Sequence, residues 1–330
     1  MSGSEAGGRG QGDGVLRIGA PLSLSGRYAR FGEQAARGLA AWRSLADGAE
    51  LVVEDDRSDP DTLERVLRDL AGRCDLLLGP YSAGLARRAG RVAVDEGLLL
   101  WNHGGSGGPA FPGHVVPVLT PAYRYAEPFV RHLVRSGDLR PLWIVHGKGR
   151  FAREVALGAQ LQAQVSGLAV TARRPREPSW HLFSAGSFEE DVAAVTGIEV
   201  PGAVCAVAAG VRAFGGAVPD PRGVYGVAQW FPGNGPDPAI GCGEREFIAA
   251  YGAPPDYPAV QAAAAAIIAV HCAELAGGTG REELWQAAAG LRTTTLYGAF
   301  ALDPGTGMQI GHRTVLTRWE PDGPVSFARG

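Results

Sequence analysis

Short, continuously apolar runs alternate along this chain with longer stretches whose apolar residues recur every three to four positions. VLRIGA (15–20), ELVVED (50–55), DLLLG (75–79) and GLLLWN (97–102) read as strands. Between them, Phe31, Ala35, Leu39 and Trp42 share one helical face, Leu63, Leu67 and Leu70 share another, and 83–95 supplies a third helix. Asp59 followed by Pro60 marks a helix start. Strands that are apolar on both faces, each followed by a helix, belong in a parallel sheet covered on both sides, an α/β architecture.

The alternation resumes after residue 120. PLWIVHG (141–147), GLAVTAR (167–173), GAVCAVAA (202–209) and GVYGVAQ (223–229) predict strands, with helices over 151–165 and 188–195. Helices follow over 244–251, 259–275 and 282–291, and closing strands near 297–302 and 313–319. No period of 20–50 residues repeats, which excludes a solenoid. The reading is two α/β lobes joined near 120–123, and 330 residues suffice for two cores.

Composition excludes several function classes. With 45% hydrophobic and 20% charged residues the chain is globular, and a net charge of −3 with interspersed signs offers no footprint for nucleic acid or an anionic membrane. No apolar run approaches the ~20 residues of a membrane span, so no direct membrane insertion is expected. Residues 1–14 have neither a basic n-region nor an apolar h-region. They read as a solvated tail without a secretory signal, which makes the chain as given cytoplasmic. Cys74, Cys205, Cys242 and Cys272 lie far apart without a Cys-x-x-Cys, and no His/Glu cluster has metal-ligand spacing, so neither metal nor cofactor is expected.

Three stretches are candidate binding elements. GPYSAG (79–84), with Tyr81, Ser82 and Ala83, joins a strand to a helix, where free backbone N–H groups and the helix dipole suit a carboxylate or phosphate. A plain capped turn is the alternative. WNHGGSGG (101–108) ends the next strand, where open α/β sheets bind ligands. Gly104 and Gly105 would let backbone approach a ligand, and Asn102, His103 and Ser106 add side-chain donors; a structural loop is the alternative. The same loop matches Gly-x-Ser-x-Gly with Ser106 as nucleophile, but the glycines and prolines behind it break the helix a nucleophile elbow requires. Third, Tyr225, Gln229, Trp230 and Phe231 with PPDYPAVQ (254–261) could line an apolar pocket or simply pack. Asp55, Asp56, Asp59 and Asp61 suit dipole and capping roles at a strand end and a helix start.

Taken in order, IGAPLSLSGRYARFGEQAARG (18–38), LVVEDDRSDP (51–60), DLLLGPYSAG (75–84), EGLLLWNHGGSG (96–107), PPDYPAVQAAAA (254–265) and LRTTTLYGAFALDPGTGMQIGH (291–312) resemble the leucine/isoleucine/valine-binding family of type I periplasmic binding proteins. The resemblance covers about 15–320. It implies two Rossmann-like lobes with three hinge crossings, near 120–123, 249–252 and 312–313, closing on a ligand like a Venus flytrap. Lobe 1 would comprise 15–122 plus 250–312, and lobe 2 would comprise 123–249 plus 313–330. It further implies that Ser82 and Ala83 with Gly104 and Ser106 hold a ligand carboxylate, and that Phe31, Tyr81 and Tyr257 form an aromatic wall. Phe151 aligns with a tyrosine that the family presents from its second lobe, and His103 stands where the family more often has a small residue or proline.

One departure bears on the ligand. Amino-acid binders set an acid against the ligand ammonium, and near that place this chain has Val227, Ala228, Gln229 and Trp230. A desolvated ammonium without an anionic partner costs several kcal/mol, so a carboxylate or amide lacking a free α-amino group is expected, unless Glu127 or Asp191 reaches the cleft. The resemblance implies non-catalytic solute binding, with a small carboxylate, amide or amino-acid-like ligand and an ABC permease as partners, and no catalytic residue. The alternatives are a cytoplasmic sensor acting on a regulatory partner, and an enzyme on a recruited binding fold using His103 or Ser106. Family members are usually extracytoplasmic.

Overall fold

The apolar runs form the strands they predict because helices cover both faces of each sheet. The computed structural model describes residues 15–107, 110–176 and 179–327; the tail expected over 1–14 lies outside them. The first lobe begins β1 (Leu16–Leu22), α1 (Ala29–Leu45), β2 (Ala49–Asp55), α2 (Pro60–Ala71), β3 (Leu76–Leu78), α3 (Ala83–Asp95), β4 (Leu100–Asn102) and β5 (Val115–Pro117). All five strands are parallel, in the order β2-β1-β3-β4-β5. Asp59 caps α2 through its Thr62 N–H bond at 2.8 Å, with Pro60 in the first turn. Asp55 accepts from the Leu24, Ser25 and Arg57 amides, and Asp56 from Ser23 and Ser58, so these two acids shape loops, while the capping role expected of the group falls to Asp59.

The chain then builds α4 (Glu127–Arg135), β6 (Leu142–His146), α5 (Arg150–Val165), β7 (Val170–Thr171), β8 (His181–Ala185), α6 (Phe188–Thr196), β9 (Val204–Ala206), α7 (Phe214–Ala217) and β10 (Tyr225–Ala228). It returns to the first lobe for α8 (Glu244–Tyr251), α9 (Tyr257–Ala276), α10 (Arg281–Gly290) and a hairpin of β11 (Arg292–Thr295) and β12 (Gly298–Ala301). β13 (Val315–Glu320) and β14 (Gly323–Ser326) close the second sheet, ordered β14-β13-β10-β9-β8-β6-β7. β13 is antiparallel to β10, and β14 to β13. This is the type I periplasmic binding protein fold.

Four strands differ from expectation. β8 is central to the second sheet, yet its buried His181 and Ser184 interrupt the apolar signature. β5 is only three residues long, and β11 and β14 lie in a hairpin and at a sheet edge, where the pattern is weak. The second crossing also moves. It lies directly after β10 at Gln229–Trp230 and not at 249–252, because Trp230, Phe247 and Tyr251 pack in the first lobe's core with α1 and α9. The span from Trp230 to the end of α8 therefore belongs with lobe 1. The third crossing enters the second sheet at Val315.

α9 overturns one further expectation. It is long and apolar enough to cross a membrane by length and composition. Its residues from Pro258 to Ala269 are buried all round within the first core, between α1, α10 and the sheet, which is why it carries no polar stripe.

The interlobe cleft as candidate functional site

Two loops at the carboxyl ends of β3 and β4 meet edge to edge. Ser82 N–H donates to the Gly104 carbonyl at 2.9 Å, and Tyr81 bridges Gly104 in parallel register. A Cβ on Gly104 would overlap Tyr81 Cα and the Pro80 carbonyl, and one on Gly105 would overlap the Ala86 methyl. These glycines thus admit the neighbouring loop and not, as expected, a ligand. Asn102 shapes the turn: its Oδ1 accepts from Gly104 and Gly105 N–H at 3.2 and 3.3 Å, and its Nδ2 donates to the Gly105 carbonyl at 2.8 Å.

This arrangement redistributes the expected donors. The Ser82 and Gly104–Gly105 amides are spent within the loops, and the Ser82 hydroxyl caps α3 by accepting from Leu85 N–H. The Ala83 and Ser106 N–H groups have no partner among the described residues. Ala83 opens α3, so its amide adds the positive end of the helix. Ser82 itself sits at φ +82°, a conformation L residues adopt only when surroundings enforce it.

The aromatic wall forms around this corner. Phe31 stacks on Tyr81 at 4.4 Å between centroids, and the Tyr81 and Tyr257 hydroxyls are 2.9 Å apart. Burial pushes both phenols up, so they are neutral hydrogen-bonding groups. From the second lobe Phe151 meets the edge of Tyr125 at 5.2 Å, and the Tyr125 hydroxyl lies 3.0 Å from Ser106 Oγ. Tyr125 lies in none of the candidate stretches; its only sequence signal is a tyrosine just past the first crossing. Both lips are bridged: Arg30 pairs with Glu189 at 3.2 Å and covers the Phe188 ring, and Arg212 pairs with Asp256 at 3.7 Å. The lobes are closed on each other.

Gln229 and Trp230 leave the ligand set. Gln229 is 1% exposed and ties the second crossing to the first, while Trp230 is packed in the first core with its indole N–H on the Leu296 carbonyl at 2.9 Å. At the hinge, Thr120 N–H donates to Gln229 Oε1 and Gln229 Nε2 to the Thr120 carbonyl, both at 3.1 Å. Thr120 Oγ1 lies 2.6 Å from His312 Nδ1, and His312 stacks on Tyr297 at 4.1 Å. A separate cavity of about 180 Å³, lined by Trp230, Phe231, Tyr297 and His312 among others, opens beside this hinge and away from the Ser82 and Ser106 loops.

His103 is fully buried, neither ring nitrogen has a hydrogen-bond partner among the described residues, and burial pushes it down to about 4, so its imidazole is neutral. Ser106 Oγ meets a tyrosine and no histidine; His312 bonds within the hinge, and His271 on α9 faces Glu274. The expected rescuing acids are also committed. Glu127 is held bidentately by Arg124 at 2.6 and 3.0 Å, and Asp191 by Ser184 and the Ala208 amide inside lobe 2.

A sequence profile of the periplasmic binding proteins matches residues 15–185. The chain belongs to the periplasmic binding protein family. No curated protein matches this binding protein by sequence. Among solved structures, it is similar to a leucine-binding protein from Thermotoga maritima (13% identity, 95% of this chain and 98% of that one, TM-score 0.76). It is similar also to a solute-binding protein of an ABC transporter from R. palustris in complex with benzoate (20% identity, 96% of each chain, TM-score 0.74). A third is an ABC transporter substrate-binding protein from Desulfitobacterium hafniense in complex with leucine (17% identity, 94% and 99%, TM-score 0.76). These likenesses establish a shared fold, and the family is one of binding proteins.

Proposed function

We propose that the chain is the substrate-binding protein of an ABC-type uptake system, taking a small carboxylate that carries no free ammonium. One observation carries the choice of ligand: Glu154, Glu189 and Asp256 at the cleft mouth face Arg150, Arg30 and Arg212, while the Ala83 and Ser106 amides remain unspent among the described residues. Unspent donors favour an anion. An ammonium there would have to compete with a guanidinium for its counter-charge. Phe31, Tyr81, Phe151 and Tyr257 offer flat apolar surface with hydroxyl tips, which suits an aromatic or branched tail. The benzoate-holding relative supports this reading, and the leucine-holding one marks the competing ligand class on the same fold. Calorimetric titration with benzoate, 4-methyl-2-oxopentanoate and leucine tests it. We expect one of the ammonium-free acids to bind at least ~10-fold, about 1.4 kcal/mol, more tightly than leucine; leucine binding tightest overturns it.

A further inference from the structure

We propose that Tyr125, oriented by Gln229 at the hinge, fixes the Ser106 hydroxyl as a hydrogen-bond donor to the cleft and thereby makes the site select an acceptor group. The inference rests on the carboxylate reading of the cleft and adds the residues that enforce it. It starts from Gln229, whose amide can adopt only one orientation. Thr120 supplies an obligate backbone donor and an obligate backbone acceptor 3.1 Å from its two ends, so Oε1 faces the Thr120 N–H and Nε2 faces the Thr120 carbonyl. The Tyr297 hydroxyl, donating to Oε1 at 2.8 Å, agrees with that assignment.

The remaining Nε2 hydrogen points at the Tyr125 oxygen, 2.6 Å away. A phenolic oxygen that accepts along one lone pair turns its own proton elsewhere, and the other partner of Tyr125 is Ser106 Oγ at 3.0 Å. Tyr125 is buried, and burial pushes its hydroxyl up, so the proton stays in place. Ser106 Oγ therefore receives a hydrogen bond from behind, and its own proton is left for the cleft. The chain Gln229 to Tyr125 to Ser106 runs donor to acceptor in one direction. A ligand carboxylate or carbonyl oxygen at Ser106 completes it, whereas an ammonium or an amide NH2 sets two donors against each other. Ala122 N–H on the first crossing holds the Ser106 carbonyl at 2.7 Å, so loop and hinge move as one piece.

Reversing the polarity tests this. In Gln229→Glu the carboxyl, kept protonated by burial, donates its single proton to the Thr120 carbonyl and presents only lone pairs to Tyr125. Tyr125 then donates to the glutamate and accepts from Ser106, which turns lone pairs to the cleft. The full-length protein is titrated by calorimetry with benzoate, phenylacetate and 4-methyl-2-oxopentanoate, each against its carboxamide. We expect the acid-over-amide affinity ratio to fall roughly tenfold or more in Gln229→Glu, and about threefold in Tyr125→Phe, whose Ser106 is free to rotate. A purely structural role lowers both affinities and leaves the ratio alone. If Gln229→Glu fails to fold, Tyr125→Phe decides. Wild-type protein that binds none of the three acids overturns the carboxylate reading and this inference with it. Wild-type binding with an unchanged ratio in the folded variants overturns this inference alone.

Discussion

Replacing Gln229 by methionine, which keeps the side chain's length and removes its polarity, should cost chiefly stability, with an effect on ligand selection no larger than the roughly threefold change expected once Ser106 is free to rotate. Four hydrogen bonds disappear: two to the Thr120 backbone, one to Tyr125 and one to Tyr297. The two phenols keep other partners, Ser106 at 3.0 Å and Gln261 at 3.2 Å, and contribute little to the loss. Thr120, fully buried, does not: its N–H and C=O are left unpaired away from water. Each such orphan costs about 1–3 kcal/mol, so the loss falls between about 2 and 6 kcal/mol, less about 1 for the better burial of a thioether. A value near 3 kcal/mol is expected. Urea unfolding, followed simultaneously by tryptophan fluorescence and far-UV circular dichroism, measures it. A loss under about 1 kcal/mol with an unaltered unfolding slope would refute the argument, because Thr120 would then have found other partners. A large drop in ligand affinity at unchanged stability would refute it differently, by placing Gln229 in the cleft.

Three further outcomes follow from the same geometry. Burial pushes Asp191 up to about 7 from 3.8, so the native state holds a proton that the unfolded chain releases, and stability falls as pH rises from about 4 to 7 by on the order of 4 kcal/mol. Asp191→Asn should abolish that decline, read from unfolding midpoints at pH 5 and 8; a decline that persists points elsewhere. His312 and His103, pushed down to about 3 and about 4 by burial, act with the opposite sign: their contribution is intact above about 6.5 and lost as pH falls, by up to ~1.4 kcal/mol per pH unit each. His132 and His181 are pushed down by burial as well, so His312→Phe, which keeps the stack on Tyr297, should remove only the His312 share of that acid slope, and an unaltered slope between pH 6 and 4.5 counts against it. Gly104→Ala forces the β3 and β4 loops apart and should cost about 1–3 kcal/mol in thermal unfolding together with most of the ligand affinity; wild-type affinity in a folded variant would separate the loop contact from the site.

The first-lobe strands β1, β2, β3 and β4 and the cap of α2 were readable because each is written locally, in a run of apolar residues or in an Asp–Pro pair whose consequence lies within a few residues. The strand-to-helix turn at Ser82 and Ala83 is legible for the same reason, but which of its amides stay open depends on the β4 loop packed against it. β8 is not legible, because His181 and Ser184 look like exposed residues until the fold buries them. Tyr125 carries no local signal, and Gln229, expected near the ligand, bonds to Thr120 and Tyr125. Their partners lie 104 residues apart along the chain, and nothing in either neighbourhood specifies that they meet.

Local pattern thus determined the α/β class, the two lobes and the loops that could hold an anion. The tertiary structure decided how those loops spend their donors, where the second crossing lies, and which polar residues serve the hinge instead of the cleft. The physical reason is that periodicity records which side of an element is buried, whereas a hydrogen bond depends on which distant backbone the topology brings within about 3 Å. In this protein that backbone is Thr120, and its peptide groups set the direction of the chain ending at Ser106.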